Sequence, residues 1–122
     1  LDGDGSVLMN LGSLSTLARY RPPNLTHWIF DNESLLSVGG FPTATGAGTD
    51  LAGIAEKAGA EYVALVNTVE DAQQAFEEAS ERDGLSIIVS KVEAIGPPSF
   101  AMDISLLENR FEFSRYLKGL VR

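Results

Sequence analysis

The chain has 122 residues, 44% apolar and 21% charged, with a formal charge of −8, one histidine and no cysteine. That length suits one domain with a single core, and the lack of cysteine excludes disulfides and thiolate metal sites and fits a cytoplasmic protein. The negative charge argues against a nucleic-acid partner, whose phosphates it would repel, and no run is long and apolar enough to make a membrane an expected partner.

Gly3-Asp4-Gly5-Ser6 opens the chain. From Ser6 to Arg21 apolar residues fall at Leu8, Leu11, Leu14 and Leu17-Ala18, the spacing of one helix, and Pro22-Pro23 stops it. Leu25 to Phe30, bounded by Asn24 and Asp31, reads as a buried strand. Residues 32–48 lack periodicity and carry Gly39, Gly40, Gly46 and Gly48 among small polar residues, the composition of a functional loop. Thr49 or Asp50 caps a short helix through Ala58, which Gly59 ends. Tyr62 to Val66 is a second strand. Thr68 and Asp71 resemble a capping box for a helix to Arg82 that Gly84 ends, and Leu85 to Val92 is a third strand. Gly96-Pro97-Pro98 reads as a linker, and Leu106 to Leu120 as a last amphipathic helix.

Strands apolar on both faces and alternating with helices predict the α/β class: three layers, α/β/α, around a mostly parallel sheet, in one domain over residues 1–122. A glycine-rich turn that holds a cofactor normally follows a strand, and there is no room for one before Gly3. Leu1 is also not an initiator methionine. The chain is therefore expected to be an N-terminally truncated piece of a longer polypeptide, with its first strand missing.

Ligands of parallel sheets sit beyond the carboxyl ends of the strands, and Gly3-Asp4-Gly5 and Asp31-Asn32 both fall at such ends. The Asp4 carboxylate and the Asn32 side-chain oxygen are hard ligands suited to magnesium. Glycines at 3 and 5 let the backbone turn sharply and come close to a ligand. The amides of Gly5 and Ser6, at the mouth of the first helix, suit a phosphate oxygen, and Ser6 adds a hydroxyl donor. Together these residues have the make-up of a site for a divalent cation bridged to a diphosphate.

Simpler readings compete with it. A lone GDG is usually a turn, and Asn32 alone is a common turn former. Asp2-Gly3-Asp4-Gly5 suggests a calcium loop, but Val7 stands where that loop needs glycine and Ser13 where it closes on glutamate. A dinucleotide fingerprint from Gly3 has Leu8 in place of its third glycine, and there is no GK[ST] phosphate loop. His27, within a strand, reads as structural, Trp28 and Phe30 as core, and Glu77, Glu78 and Glu81 as a solvated helix face. Phe111, Phe113, Tyr116 and Leu117 belong to the core or meet a partner subunit. Glu33, beside the candidate ligands, faces solvent or reaches towards substrate.

GDG followed by roughly 25 to 30 residues and an Asn resembles the diphosphate-binding motif of thiamine diphosphate enzymes. Gly3 to Ser6 with Leu8 to Leu14, Asn24-Leu25-Thr26, Phe30-Asp31-Asn32, Ser37 to Thr43 and Thr49 to Ala52 are similar to the cofactor-binding half of phosphonopyruvate and sulfopyruvate decarboxylases. That group commonly reads S-T-G-G-Q where this chain has Ser37-Val38-Gly39-Gly40-Phe41, which leaves the exact substrate open. The resemblance implies the thiamine diphosphate-binding fold, thiamine diphosphate and Mg2+ as cofactors, and decarboxylation of a small 2-oxo acid. It implies metal ligation by Asp4, Asn32 and the main-chain carbonyl of Ser34. It implies cofactor contacts from Gly3, Asp4, Gly5, Ser6, Asn32, Ser34, Leu35 and Leu36. The activating glutamate of such enzymes lies on a pyrimidine-binding (alpha-type) domain or subunit, so no catalytic residue is expected here, and an oligomer is. Two alternatives are a carboligase of the acetolactate synthase type and a degenerate homologue that no longer binds cofactor.

Overall fold

The computed structural model describes residues 1–96 and 106–120. Asp2–Gly3 forms a two-residue strand, β1, paired in parallel with Ile29 and Phe30. Asp4–Met9 (α1) follows directly, and Gly12–Tyr20 (α2) comes after Asn10 and Leu11. The single helix expected from Ser6 to Arg21 is thus two. The break falls where Asn10 and Gly12, both weak helix formers, stand close together. Asn10 leaves the helical region at φ −142°, with its amide donating to the Val7 carbonyl. Arg21 ends α2 in the left-handed region (φ 44°), ahead of the two prolines.

Asn24–Asp31 is β2. The segment expected to be an irregular loop holds a short antiparallel hairpin, Ser34–Leu35 (β3) and Phe41–Pro42 (β4), with 3-10 turns at Leu36–Val38 and Ala44–Ala47. Leu51–Ala58 is α3, and the Asp50 carboxylate caps it by accepting the Gly53 amide at 2.9 Å. Gly59, at φ 102°, closes it in a conformation that disfavours any side chain. Tyr62–Val66 is β5. Val69–Ser80 is α4, capped by the Thr68 hydroxyl, which accepts the Asp71 amide at 3.1 Å. This helix stops at Ser80, short of Arg82. Gly84, expected to end it, is instead the first residue of Gly84–Lys91 (β6). Leu106–Leu120 is α5. Pro97 and Pro98 of the expected linker lie outside the described residues. Among the described residues no helix is long and apolar enough to cross a membrane.

β1, β2, β5 and β6 form one parallel sheet in the order β1-β2-β6-β5. Alternation along β6 assigns its two faces. Leu85, Ile87 and Val89 join Ile29 beneath α1, α2 and α3, whose Val7, Leu14, Leu51 and Ala55 complete the larger core. Ile88 faces the other way and packs with Val66 under Ala75 and Ala79 of α4. Helices therefore cover both faces, giving the three layers. Trp28 belongs to the smaller cluster, between the rings of Phe30 and Phe76. Phe30, expected in the core, is 40% exposed, because α4 lies mainly over β5 and β6 and leaves the carboxyl end of β2 open. Phe111, Phe113, Tyr116 and Leu117 of α5 are likewise exposed rather than core.

Candidate functional site

The register of the sheet sets the site. Gly3 lies opposite Phe30, so Asp4 leaves β1 level with Asp31, the last residue of β2. Asp31 in turn lies opposite Lys91, the last residue of β6. Three charged residues thus meet at one carboxyl edge. The chain after the hairpin closes over them: the Thr43 amide donates to the Glu33 carbonyl at 3.0 Å, and the turn that follows carries Thr45.

Asp4 and Asp31 are each 2% exposed. The Thr43 hydroxyl donates to Asp4 Oδ2 at 2.5 Å, and Thr45 Oγ1 lies 3.0 Å from the same oxygen. Thr45 Oγ1 is also 2.7 Å from Asp31 Oδ1, which accepts the Glu33 amide at 3.2 Å as well. Lys91 Nζ completes the array, 2.8 Å from Asp31 Oδ2 and 2.7 Å from Glu33 Oε1. Partial burial pulls the Lys91 ammonium down, but its hydrogen bonds and the charges of both acids outweigh that and hold its pKa above the ordinary lysine value. Glu33 is exposed, its side chain 50% open to solvent, and is tethered there through Lys91. It is held at φ 57° by its amide on Asp31 and its carboxylate on Lys91.

The charge balance is uneven. Both carboxylates touch a single hydroxyl oxygen, so they lie about 6 Å apart or closer and repel by about 3 kcal/mol at an effective dielectric of 20. Lys91 offsets this at Asp31. Asp4 has no basic partner among the described residues, and its Oδ1 accepts no hydrogen bond there. A carboxylate this buried is costly without a cation beside it; Asn32 and the Ser34 carbonyl supply the other hard oxygens at this edge, since no cluster of three acidic or histidine side chains suited to a metal forms among the described residues.

The remaining sequence-predicted residues gather at the same edge. Asn32 is half-buried, and its Oδ1 accepts the Ser34 amide at 3.0 Å, a local turn that presents the side chain beside Asp31. The bond between the Thr43 amide and the Glu33 carbonyl makes Ser34 and Pro42 a non-hydrogen-bonded pair of the hairpin ladder. The Ser34 carbonyl therefore points away from β4. α1 begins at Asp4 with Gly3 as its cap, and no side chain closes the first-turn amides of Asp4, Gly5 and Ser6. Ser6 is exposed. Gly3 has an ordinary extended backbone (φ −105°), so it makes no turn that only glycine could make. Gly5 is needed for a different reason: a Cβ there would overlap the Leu35 side chain, which packs onto the first turn of α1. Leu35 and Leu36 are both half-buried, Leu35 against Gly5 and Leu36 towards Gly96. His27 sits four residues before Asp31 on β2, about 13 Å away at the usual strand rise, with Nε2 3.6 Å from Asp2 and Nδ1 unpartnered.

A cavity of about 230 Å³ adjoins the network, lined by Asp31, Thr45, Lys91, Asp50 and Leu65 among others. A larger hollow of about 500 Å³ lies beside Leu1, Asn10 and His27, towards the opposite end of β2 and away from these acids. Sequence reasoning placed Asp31 only as a strand end, named Thr43 only within the stretch that carries the family resemblance, and missed Thr45 and Lys91 altogether. Lys91 had a signal, a lone cation closing an apolar strand. Thr45 had none, because nothing local says which loop residues fold back.

Comparison with known proteins identifies the family. The family model for the thiamine pyrophosphate enzyme C-terminal TPP binding domain matches residues 1–90. The chain is 31% identical over 118 residues to sulfopyruvate decarboxylase subunit beta of Methanocaldococcus jannaschii, covering 97% of this chain and 62% of that protein. It is 37% identical over 103 residues to phosphonopyruvate decarboxylase of Streptomyces viridochromogenes, covering 80% and 26%. It is 41% identical over 88 residues to the protein of that name from Streptomyces hygroscopicus, covering 72% and 22%. The chain thus spans less than two thirds of the length of these relatives. With the family model matching residues 1–90, well over half of the chain, the chain belongs to the C-terminal TPP-binding domain family of the thiamine pyrophosphate enzymes.

Proposed function

We propose that this domain anchors thiamine diphosphate through Mg2+ and its diphosphate, as one half of a cytoplasmic, oligomeric 2-oxo acid decarboxylase related to sulfopyruvate and phosphonopyruvate decarboxylases. The observation that carries the reading is Asp4, a buried carboxylate with a hydroxyl-bound oxygen, an unused oxygen and no basic partner among the described residues. Asp4, Asn32 and the Ser34 carbonyl would hold the cation, leaving its other positions to phosphate and water. The amides of Gly5 and Ser6, the Ser6 hydroxyl and the nearby Gly3 would take the phosphate oxygens, which the overall negative charge of the chain would otherwise repel. Leu35 and Leu36 would flank the cofactor and exclude water.

When bound, the cofactor supplies the electron sink for loss of CO2. This chain contributes binding and orientation. The activating glutamate and the rest of the substrate site belong to a pyrimidine-binding partner, domain or subunit. Support for a partner comes from relatives named as beta subunits, including those of Methanocaldococcus jannaschii and Methanococcus maripaludis. The test is calorimetric titration of thiamine diphosphate with Mg2+ into the complete enzyme. Tight, Mg2+-dependent binding is expected and should disappear in the Asp4→Ala/Asn32→Ala double variant; binding that survives it would overturn the site assignment.

A further inference from the structure

We propose that Thr45 is a positioning residue, whose hydroxyl holds Asp4 in place against Asp31 so that the acid and the Asn32 turn meet one cation. The inference rests on the reading above and assigns a role that the metal ligands alone do not explain. Asp4 stands on the first turn of α1, whereas Asn32 and Ser34 follow β2. The ladder joining those two parts is only two residues long and ends at Gly3, one residue before the acid. Beyond it, Thr45 Oγ1 lies between the two sides, 2.7 Å from Asp31 Oδ1 and 3.0 Å from Asp4 Oδ2, and its one proton serves either acid in turn.

Each neighbour of that hydroxyl is itself fixed. Asp31 is tied to β6 through Lys91 and to the ligand turn through the Glu33 amide. Thr45 is 4% exposed, lies in a 3-10 turn and accepts the Gly48 amide on its carbonyl at 3.0 Å. Thr43 also links the two parts, through its hydroxyl on Asp4 and its amide on the Glu33 carbonyl, but that hydroxyl reaches Asp31 only by way of the Thr45 hydroxyl, 2.8 Å away. Magnesium demands near-octahedral geometry and short bonds, so a carboxylate free to shift by a fraction of an ångström is a poorer ligand. Residues that orient metal ligands typically control affinity by about 10–100-fold.

The experiment uses the complete enzyme with its pyrimidine-binding partner and measures the Mg2+ concentration that half-saturates thiamine diphosphate binding. Thr45→Val keeps the shape and removes the hydroxyl; it should raise that concentration by about 10–100-fold. Thr45→Ser restores the hydroxyl and should stay within about threefold of wild type. Ser86→Ala, at an equally buried β6 position away from the acids, should change nothing and controls for polar deletion in the core. Thr45→Val binding like wild type, or Thr45→Ser failing as badly as Thr45→Val, would overturn the assignment. If Thr45→Val does not fold, Thr45→Ala is judged by the same standard. A wild-type enzyme showing no Mg2+-dependent binding would instead remove the function proposed above, a separate and earlier failure.

Discussion

Lys91→Met tests whether the cation at the end of β6 sustains the buried edge. The substitution keeps most of the apolar stem and deletes the ammonium. Asp31, 2% exposed, would retain the Thr45 hydroxyl at 2.7 Å and the Glu33 amide at 3.2 Å but lose the charge 2.8 Å away. Stripping one member from a fully buried pair costs about 3–5 kcal/mol. The Lys91 side chain is 34% exposed, so solvent screening lowers the expected loss to about 2–3 kcal/mol. For a domain of this size that is about 8–12 °C in Tm. Asp31→Asn in the same chain should recover more than half of the loss, because an amide leaves no buried charge. The pH dependence has a definite sign. Lys91 has its pKa raised above 10.5 on folding, so its contribution is fully present below 10.5 and fades as pH climbs through the higher folded value. Thermal unfolding by circular dichroism should therefore show the same gap between wild type and variant at pH 7 and pH 9, narrowing at pH 11. A gap below about 2 °C at pH 7, or one already closed at pH 9, would refute the reasoning.

Gly5→Ala gains about 1 kcal/mol of helix propensity but drives a methyl into Leu35, which costs about 1–3 kcal/mol. Urea denaturation should show a net loss that Leu35→Ala in the same chain converts to a gain over Leu35→Ala alone; a more stable single variant would count against the packing account. Asp50→Ala removes the cap of α3 and should lower stability by about 1 kcal/mol, and Asp50→Asn should recover most of it. Thr68→Val should cost a similar amount at α4, with Thr68→Ser close to wild type; equal melting of all three proteins would show that the cap is immaterial.

Most of the scaffold was legible because it rests on local rules. Tyr62–Val66 and Leu106–Leu120 could be bounded from polarity alone, and the caps Asp50 and Thr68 act where their spacing to the next apolar run placed them. The misplacements have local causes too. The Asn10-Leu11-Gly12 break is hidden by apolar spacing that runs straight through it, and Gly84 suits a strand start as well as a helix end. At the site, the ends Asp4 and Asn32 could be placed because strand ends in a parallel sheet are shared by topology. Thr43 and Thr45 reach Asp4 from 39 and 41 residues away, Thr45 reaches Asp31 from 14 and Lys91 reaches it from 60, through tertiary closure that no short window encodes. At Gly5 the missing side chain also makes room for Leu35, a packing role that only the folded hairpin reveals.

The strand order carries a consequence for how the molecule is made. β6 lies between β2 and β5 yet comes after both, so a ribosome releases the two flanking strands before the one that joins them. Until residues 84–91 emerge, each flanking strand offers a bare ladder edge to other nascent chains. The last residue of that late strand is Lys91, the counter-charge of Asp31. The charge partner of Asp31 therefore arrives in the same step that seals the sheet, and a product cut short before residue 91 should lack that partner and be prone to self-association.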